Sequence, residues 1–156
     1  YTSNDVIGSE ISGIAKNIIA IAVGIGDGAG YGDNAKALVI TRGLAEMQRL
    51  GIAAGGKPET FAGLAGIGDL IATCSSDLSR NRRVGIQLGQ GKTLAEILST
   101  TNQVAEGVNS ARSLSEYAKS LNVSMPITDS VCRVIEDGEV TKDAVAQLMT
   151  RPPTSE

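Results

Sequence analysis

Three arginines crowd into Asp77-Leu78-Ser79-Arg80-Asn81-Arg82-Arg83, eight residues after Asp69 of the glycine-rich stretch Gly66-Ile67-Gly68-Asp69-Leu70. Arginine grips planar anions through two parallel donors. Ser79 and Asn81 place short-range donors beside Arg80. A helix beginning here would also aim its first amides at a phosphate. Arg82 and Arg83 read instead as a solvated basic turn beside that corner. A second candidate is Lys16-Asn17, set inside the apolar run from Ile14 to Ile25. An ammonium in such a run needs a polar partner or a ligand. A lysine in partly apolar surroundings can exchange a proton nearer neutral pH, whereas a neighbouring carboxylate fixes its position. Asp69 is the candidate carboxylate; its bland alternative is a helix cap. Glu106, in Gln103-Val104-Ala105-Glu106-Gly107, could accept from ribose hydroxyls, with a surface loop as its default. These groups together point to a phosphorylated small molecule.

The bulk composition narrows the field. A chain of 156 residues with 42% hydrophobic content can bury one real core. Phe61 and three tyrosines are the only aromatics, so that core is aliphatic. A net charge of -3 and the scarcity of stacking aromatics argue against a nucleic-acid partner. The absence of histidine excludes His-based triads and His-ligated metals, and no metal site is expected. Cys74 and Cys132 lack metal spacing and read as reduced thiols of a cytoplasmic protein. The chain starts at Tyr1 and reads as a piece of a longer protein, without a leader. Its longest apolar stretch, interrupted by Lys16 and Asn17, reads as too short to span a bilayer.

Helical periodicity dominates. Ile11, Ile14, Ile18, Ile21 and Ile25 form one stripe over a helix at 8–25. Five glycines between Gly24 and Gly32 suggest that a turn follows. Further helices are expected at 34–52, 58–65, 68–75 and 79–89. The Thr93…Glu96 capping box opens another, to Ser99. Others fall at 109–121, from Pro126 onward, and from Thr141 through Leu148, with a loose tail from Arg151. Val123 and Met125 make at most a short extended link. The expectation is an all-α domain of seven to nine helices. Gly24-Ile25-Gly26-Asp27-Gly28-Ala29 matches a dinucleotide fingerprint by letter, but no strand precedes it, so it reads as a helix–helix turn.

The chain resembles the C-terminal, substrate-binding domain of bacterial-type NAD(P)-dependent glycerol-3-phosphate dehydrogenases. The matching segments are Asp5 to Glu10, Lys16-Asn17, Gly30 to Asn34, Thr41 to Met47, Pro58 to Leu70, Cys74, Ser79 to Arg83 and Val104 to Gly107. They run in order through nearly the whole chain. The resemblance implies that residues 1–156 form the helical domain. Residues 1–6 would end a preceding linker or domain, and the NAD(P)-binding Rossmann domain lies outside this chain. It implies an oxidoreductase interconverting sn-glycerol 3-phosphate and dihydroxyacetone phosphate with NAD or NADP, in glycerophospholipid synthesis. Lys16 becomes the proton donor and acceptor at the C2 oxygen. Substrate contacts fall on Lys16, Asp69, Thr73, Ser79, Arg80 and Asn81. Cofactor contacts fall on Arg80, Val104 and Glu106. The choice between NAD and NADP, and a homodimer, stay open, and this piece alone is expected to be inactive.

Two other readings compete. One is a related dehydrogenase of another small anionic substrate, which should lack the Ser-Arg-Asn corner. The other is a helical interaction or dimerisation module, which would leave Lys16 paired and closed off.

Overall fold

The computed structural model describes residues 2–100 and 105–137, and among these every regular element is helical. The expected helix from Thr141, the tail and Val104 lie outside the described residues. Helix α1 (Val6–Gly28) is the axis of the domain, and α2 (Gly32–Ala53), α4 (Asp69–Ser75), α5 (Arg80–Gly89) and α7 (Glu106–Ser120) all pack on it. The short α3 (Pro58–Ala62), α6 (Leu94–Ser99) and α8 (Pro126–Cys132) close the periphery, with π-helical turns at Leu64–Gly68 and Arg133–Asp137.

Burial on α1 extends round most of the helix, taking in Ala15, Ile19 and Val23 as well as Ile11, Ile18, Ile21 and Ile25. Ile14 departs from the expected stripe and stays exposed. At 23 residues α1 is also long and apolar enough to cross a bilayer by length and composition, which corrects the expectation that it was too short. Here the surrounding helices cover much of it, while Val6, Ile7 and Ile14 stay exposed. Asp5 caps it, accepting from the Gly8 amide at 3.0 Å. The same carboxylate accepts from the Lys57 amide at 2.9 Å and the Thr60 hydroxyl at 2.5 Å, tying the start of α1 to α3.

The glycine-rich stretch after α1 is not the turn its composition suggests. The helix continues through Gly28, and only residues 29–31 reverse the chain, helped by the positive φ of Gly30. Gly24 and Gly28 serve a different purpose. A Cβ on Gly24 would overlap the Arg82 carbonyl, and one on Gly28 the Ile86 carbonyl. Reciprocally, a Cβ on Gly85 or Gly89 would overlap the carbonyls of Ile21 and Ile25. Two glycine pairs at four-residue spacing thus let α1 and α5 cross with their backbones touching. That register places Asn81, at the start of α5, beside Asn17.

The Thr93 capping box forms as expected: the Glu96 carboxylate accepts from the Thr93 amide at 2.8 Å, and Thr93 Oγ1 accepts from the Glu96 amide at 3.3 Å. No sequence pattern marks the role of Glu46, which is only 2% exposed. It reaches from α2 to the start of α8 and accepts from the amides of Ile127 at 2.6 Å and Thr128 at 3.3 Å. Burial outweighs these donors and pushes the Glu46 carboxyl up to about 7 from 4.5.

Between about pH 4.5 and about pH 7 the fold therefore favours a proton on Glu46 that the unfolded chain has released. Stability from this group is complete below about pH 4.5 and declines as pH rises towards about 7. The urea midpoint is expected to fall across that window, and Glu46→Gln should flatten the fall. An unchanged slope in the variant would assign the titration to another group.

Candidate functional site

One open cleft of about 550 Å³ collects the chemically capable residues. Its walls come from α1 (Gly13, Lys16, Asn17), α4 (Ala72, Thr73), the segment before α5 (Ser76, Leu78, Ser79), the first turn of α5 (Arg80, Asn81) and the start of α7 (Glu106). Lys16, Thr73, Ser79, Arg80, Asn81 and Glu106 are thus brought together from four helices. Asp69 joins them through direct contacts with Lys16 and Thr73.

The packing of α4 on α1 carries Asp69 to Lys16, and the ammonium forms an ion pair and hydrogen bond with Asp69 Oδ2. The Lys16 side chain remains 21% exposed and that of Asp69 42%, so the pair borders the cleft rather than lying sealed in the core. One turn on, Thr73 Oγ1 donates to the Asp69 carbonyl at 2.7 Å and lies 3.4 Å from Asp69 Oδ1. The carboxylate is held from both sides, and the lysine with it. This pairing matches the structural alternative for Lys16 in its partner but not in its closure, because the cleft stays open at the ammonium.

Across the cleft Arg80 pairs with Glu106, both side chains about half exposed. Beneath them Asn81 is nearly fully buried. Its Nδ2 donates to Asn17 Oδ1 at 3.0 Å and reaches Glu106 Oε2 at 3.4 Å, while its Oδ1 accepts from the Gly107 amide at 2.8 Å. Asn81 therefore welds α1, α5 and α7 together under the cleft. Asn17 in turn donates to the Gly13 carbonyl at 3.1 Å. Ser79 caps α5, its Oγ accepting from the Arg82 amide at 3.3 Å.

Arg82 corrects the expectation of a solvated basic turn, since its side chain is only 12% exposed. Its Nε and NH2 both bind Asp27 Oδ2, at 2.8 and 2.7 Å, while NH1 donates to Asp77 at 2.7 Å. Lys36 of α2 adds a second cation at 3.0 Å from Asp27 Oδ1. The Arg82 fork ties the segment before α5 to the end of α1, which fixes where Ser79 and Arg80 stand. Sequence reasoning missed Asp27 because it lies 55 residues from Arg82, inside a stretch read as a turn. Arg83 is exposed, as expected.

Among the described residues no group of three or more His, Cys, Asp or Glu could hold a metal. Cys74 and Cys132 are free, and burial pushes their thiols up to about 12 and about 11. Neither belongs to the cleft. A dinucleotide would find an arginine and a carboxylate suited to its polar edge at Arg80 and Glu106. Among the described residues no strand is present to build a nucleotide platform.

Comparison with known proteins gives a consistent picture. The family model described as NAD-dependent glycerol-3-phosphate dehydrogenase C-terminus matches residues 5–146. The chain is 57% identical over 151 residues to glycerol-3-phosphate dehydrogenase [NAD(P)+] 2 of Salinibacter ruber, covering 97% of this chain and 44% of that protein. It is 56% identical over 156 residues to glycerol-3-phosphate dehydrogenase [NAD(P)+] of Geobacter metallireducens, covering 100% and 47%. The crystal structure of glycerol-3-phosphate dehydrogenase from Coxiella burnetii superposes with a TM-score of 0.93 at 44% identity, covering 97% of this chain and 46% of that one. The chain thus spans about half the length of the curated relatives it matches.

Proposed function

Because this chain belongs to the NAD-dependent glycerol-3-phosphate dehydrogenase C-terminal family, we propose that it is the substrate-binding domain of an enzyme interconverting sn-glycerol 3-phosphate and dihydroxyacetone phosphate. The observation that carries this reading is the meeting of Lys16–Asp69 and Arg80–Asn81 at one open cleft. Arg80 is placed to clamp the phosphate, with Ser79 beside it and Asn81 fixing the floor from below. Thr73 and Asp69 hold Lys16 where its ammonium can meet the C2 oxygen. As the ketone becomes an alcohol, Lys16 donates a proton to that oxygen, and it takes the proton back in reverse. Asp69 keeps the amine aimed while it does so.

NAD or NADP, when bound, supplies or accepts the hydride at C2. On this reading Arg80 and Glu106 touch its polar edge; Val104, the third residue of that expectation, lies outside the described residues. The remaining length of the relatives leaves room for a separate nucleotide-binding domain in the intact enzyme, while Asp5 and Val6, expected to end a preceding linker, already belong to α1 and its cap. The product would supply glycerophospholipid synthesis in the cytoplasm, and a homodimer is compatible with this arrangement.

The test uses purified protein and the oxidation of NADH or NADPH. The intact enzyme carrying this domain should reduce dihydroxyacetone phosphate, and residues 1–156 alone should not, because reactants held without a nucleotide platform lose the advantage of orientation. Turnover by the isolated chain above a contaminant control would overturn the division of labour. No turnover by the intact enzyme would overturn the substrate.

A further inference from the structure

We infer that Gly13 is the steric floor of the cleft, a position left without a side chain so that the reacting end of the ligand can lie against the α1 backbone. This rests on the substrate reading proposed above. Gly13 sits in the middle of α1, where glycine is disfavoured relative to alanine. Several other glycines inside the long helices have a packing reason. A Cβ on Gly24 would strike α5, one on Gly51 the Phe61 ring, and one on Gly107 the Asn17 carbonyl. Around Gly13 a Cβ would meet nothing within 4 Å. Protein packing does not account for it.

Its location supplies the account. Gly13 lines the cleft, and Lys16 and Asn17 stand three and four residues on, on the same face of α1. Its carbonyl anchors the Asn17 amide, so the backbone there is already part of the site's hydrogen-bonded frame. A methyl group at this point would occupy part of the cleft that Lys16 also lines. Gly26 provides the contrast. It is also inside α1, a Cβ there would also meet nothing within 4 Å, and it does not line the cleft.

The two glycines give a matched experiment in the intact enzyme. Gly13→Ala and Gly26→Ala are compared with the parent for unfolding midpoint without ligand and for kcat/KM towards dihydroxyacetone phosphate at saturating reduced cofactor. Both variants should keep or raise the midpoint, because each adds a better helix former in open space. A single methyl in a tight pocket commonly changes discrimination by about 10–200-fold. Gly13→Ala should therefore lose about tenfold or more in kcat/KM while Gly26→Ala stays near the parent. A smaller loss in Gly13→Ala, an equal loss in Gly26→Ala, or a lowered midpoint in Gly13→Ala would overturn the inference. A parent enzyme inactive on this substrate would instead strike down the function reading, and this inference with it.

Discussion

Lys16→Met in the intact enzyme should fold normally and lose most of its turnover, by roughly 10²–10⁴-fold, the usual weight of general acid–base catalysis. Methionine keeps the length and the apolar stem of the side chain but carries no proton. The fold should tolerate the change because Asp69, left without its ammonium, is 42% exposed and stays hydrated. Thr73 continues to hold the Asp69 turn through its 2.7 Å hydrogen bond. The measurement is kcat under saturating substrate, set beside the unfolding midpoint. Near-parental kcat in a folded variant would reduce Lys16 to a structural lysine. A collapse of both quantities would point to the ion pair as a folding element.

Arg80→Ala should act on binding first. Losing a desolvated, bidentate charge contact to an anion costs about 2–5 kcal/mol, or roughly 30- to 5000-fold in kcat/KM. The expected signature is a raised KM for dihydroxyacetone phosphate, with a smaller effect on the reduced cofactor through Glu106. Stability should change little, because the Arg80–Glu106 pair is about half exposed and such pairs contribute about 0–1 kcal/mol. Arg80→Lys should recover only part of the loss, since an ammonium cannot reproduce the guanidinium fork. Unchanged dependence of rate on substrate would remove Arg80 from the phosphate site.

Asn81 shows how a residue can be singled out from sequence while its partners stay hidden. The Ser-Arg-Asn order marked it as a donor for an anion. In the fold its amide is occupied by Asn17, Glu106 and the Gly107 backbone. It contributes to the cleft chiefly by fixing its neighbours. Arg82 makes the same point from the other side, as a member of the same basic run whose charge is consumed by Asp27 and Asp77. Asn17 and Glu106 as partners of Asn81, and Asp27 as partner of Arg82, could not be inferred from local spacing.

The glycines divide in the same way. Composition identified the stretch from Gly24 to Gly32 as unusual but not why. Gly30 does serve a turn, through its positive φ. Gly24 and Gly28 serve a helix crossing whose other half, Gly85 and Gly89, lies on α5. A turn needs only local dihedral freedom, which composition reports. A crossing needs two distant segments to be small at matching positions.

The sequence by itself determined the helical class, most helix positions, the capping box at Thr93 and the residues capable of chemistry. Those depend on periodicity, side-chain chemistry and caps, all of which act within a few residues. Tertiary structure decided which cation meets which carboxylate: Lys16 with Asp69, Arg80 with Glu106, Arg82 with Asp27. It also decided that Glu46 is buried against α8 and that the space over Gly13 is left open. Those outcomes depend on helices packed from opposite ends of the chain, where burial and charge pairing are settled by neighbours 25 to more than 80 residues away.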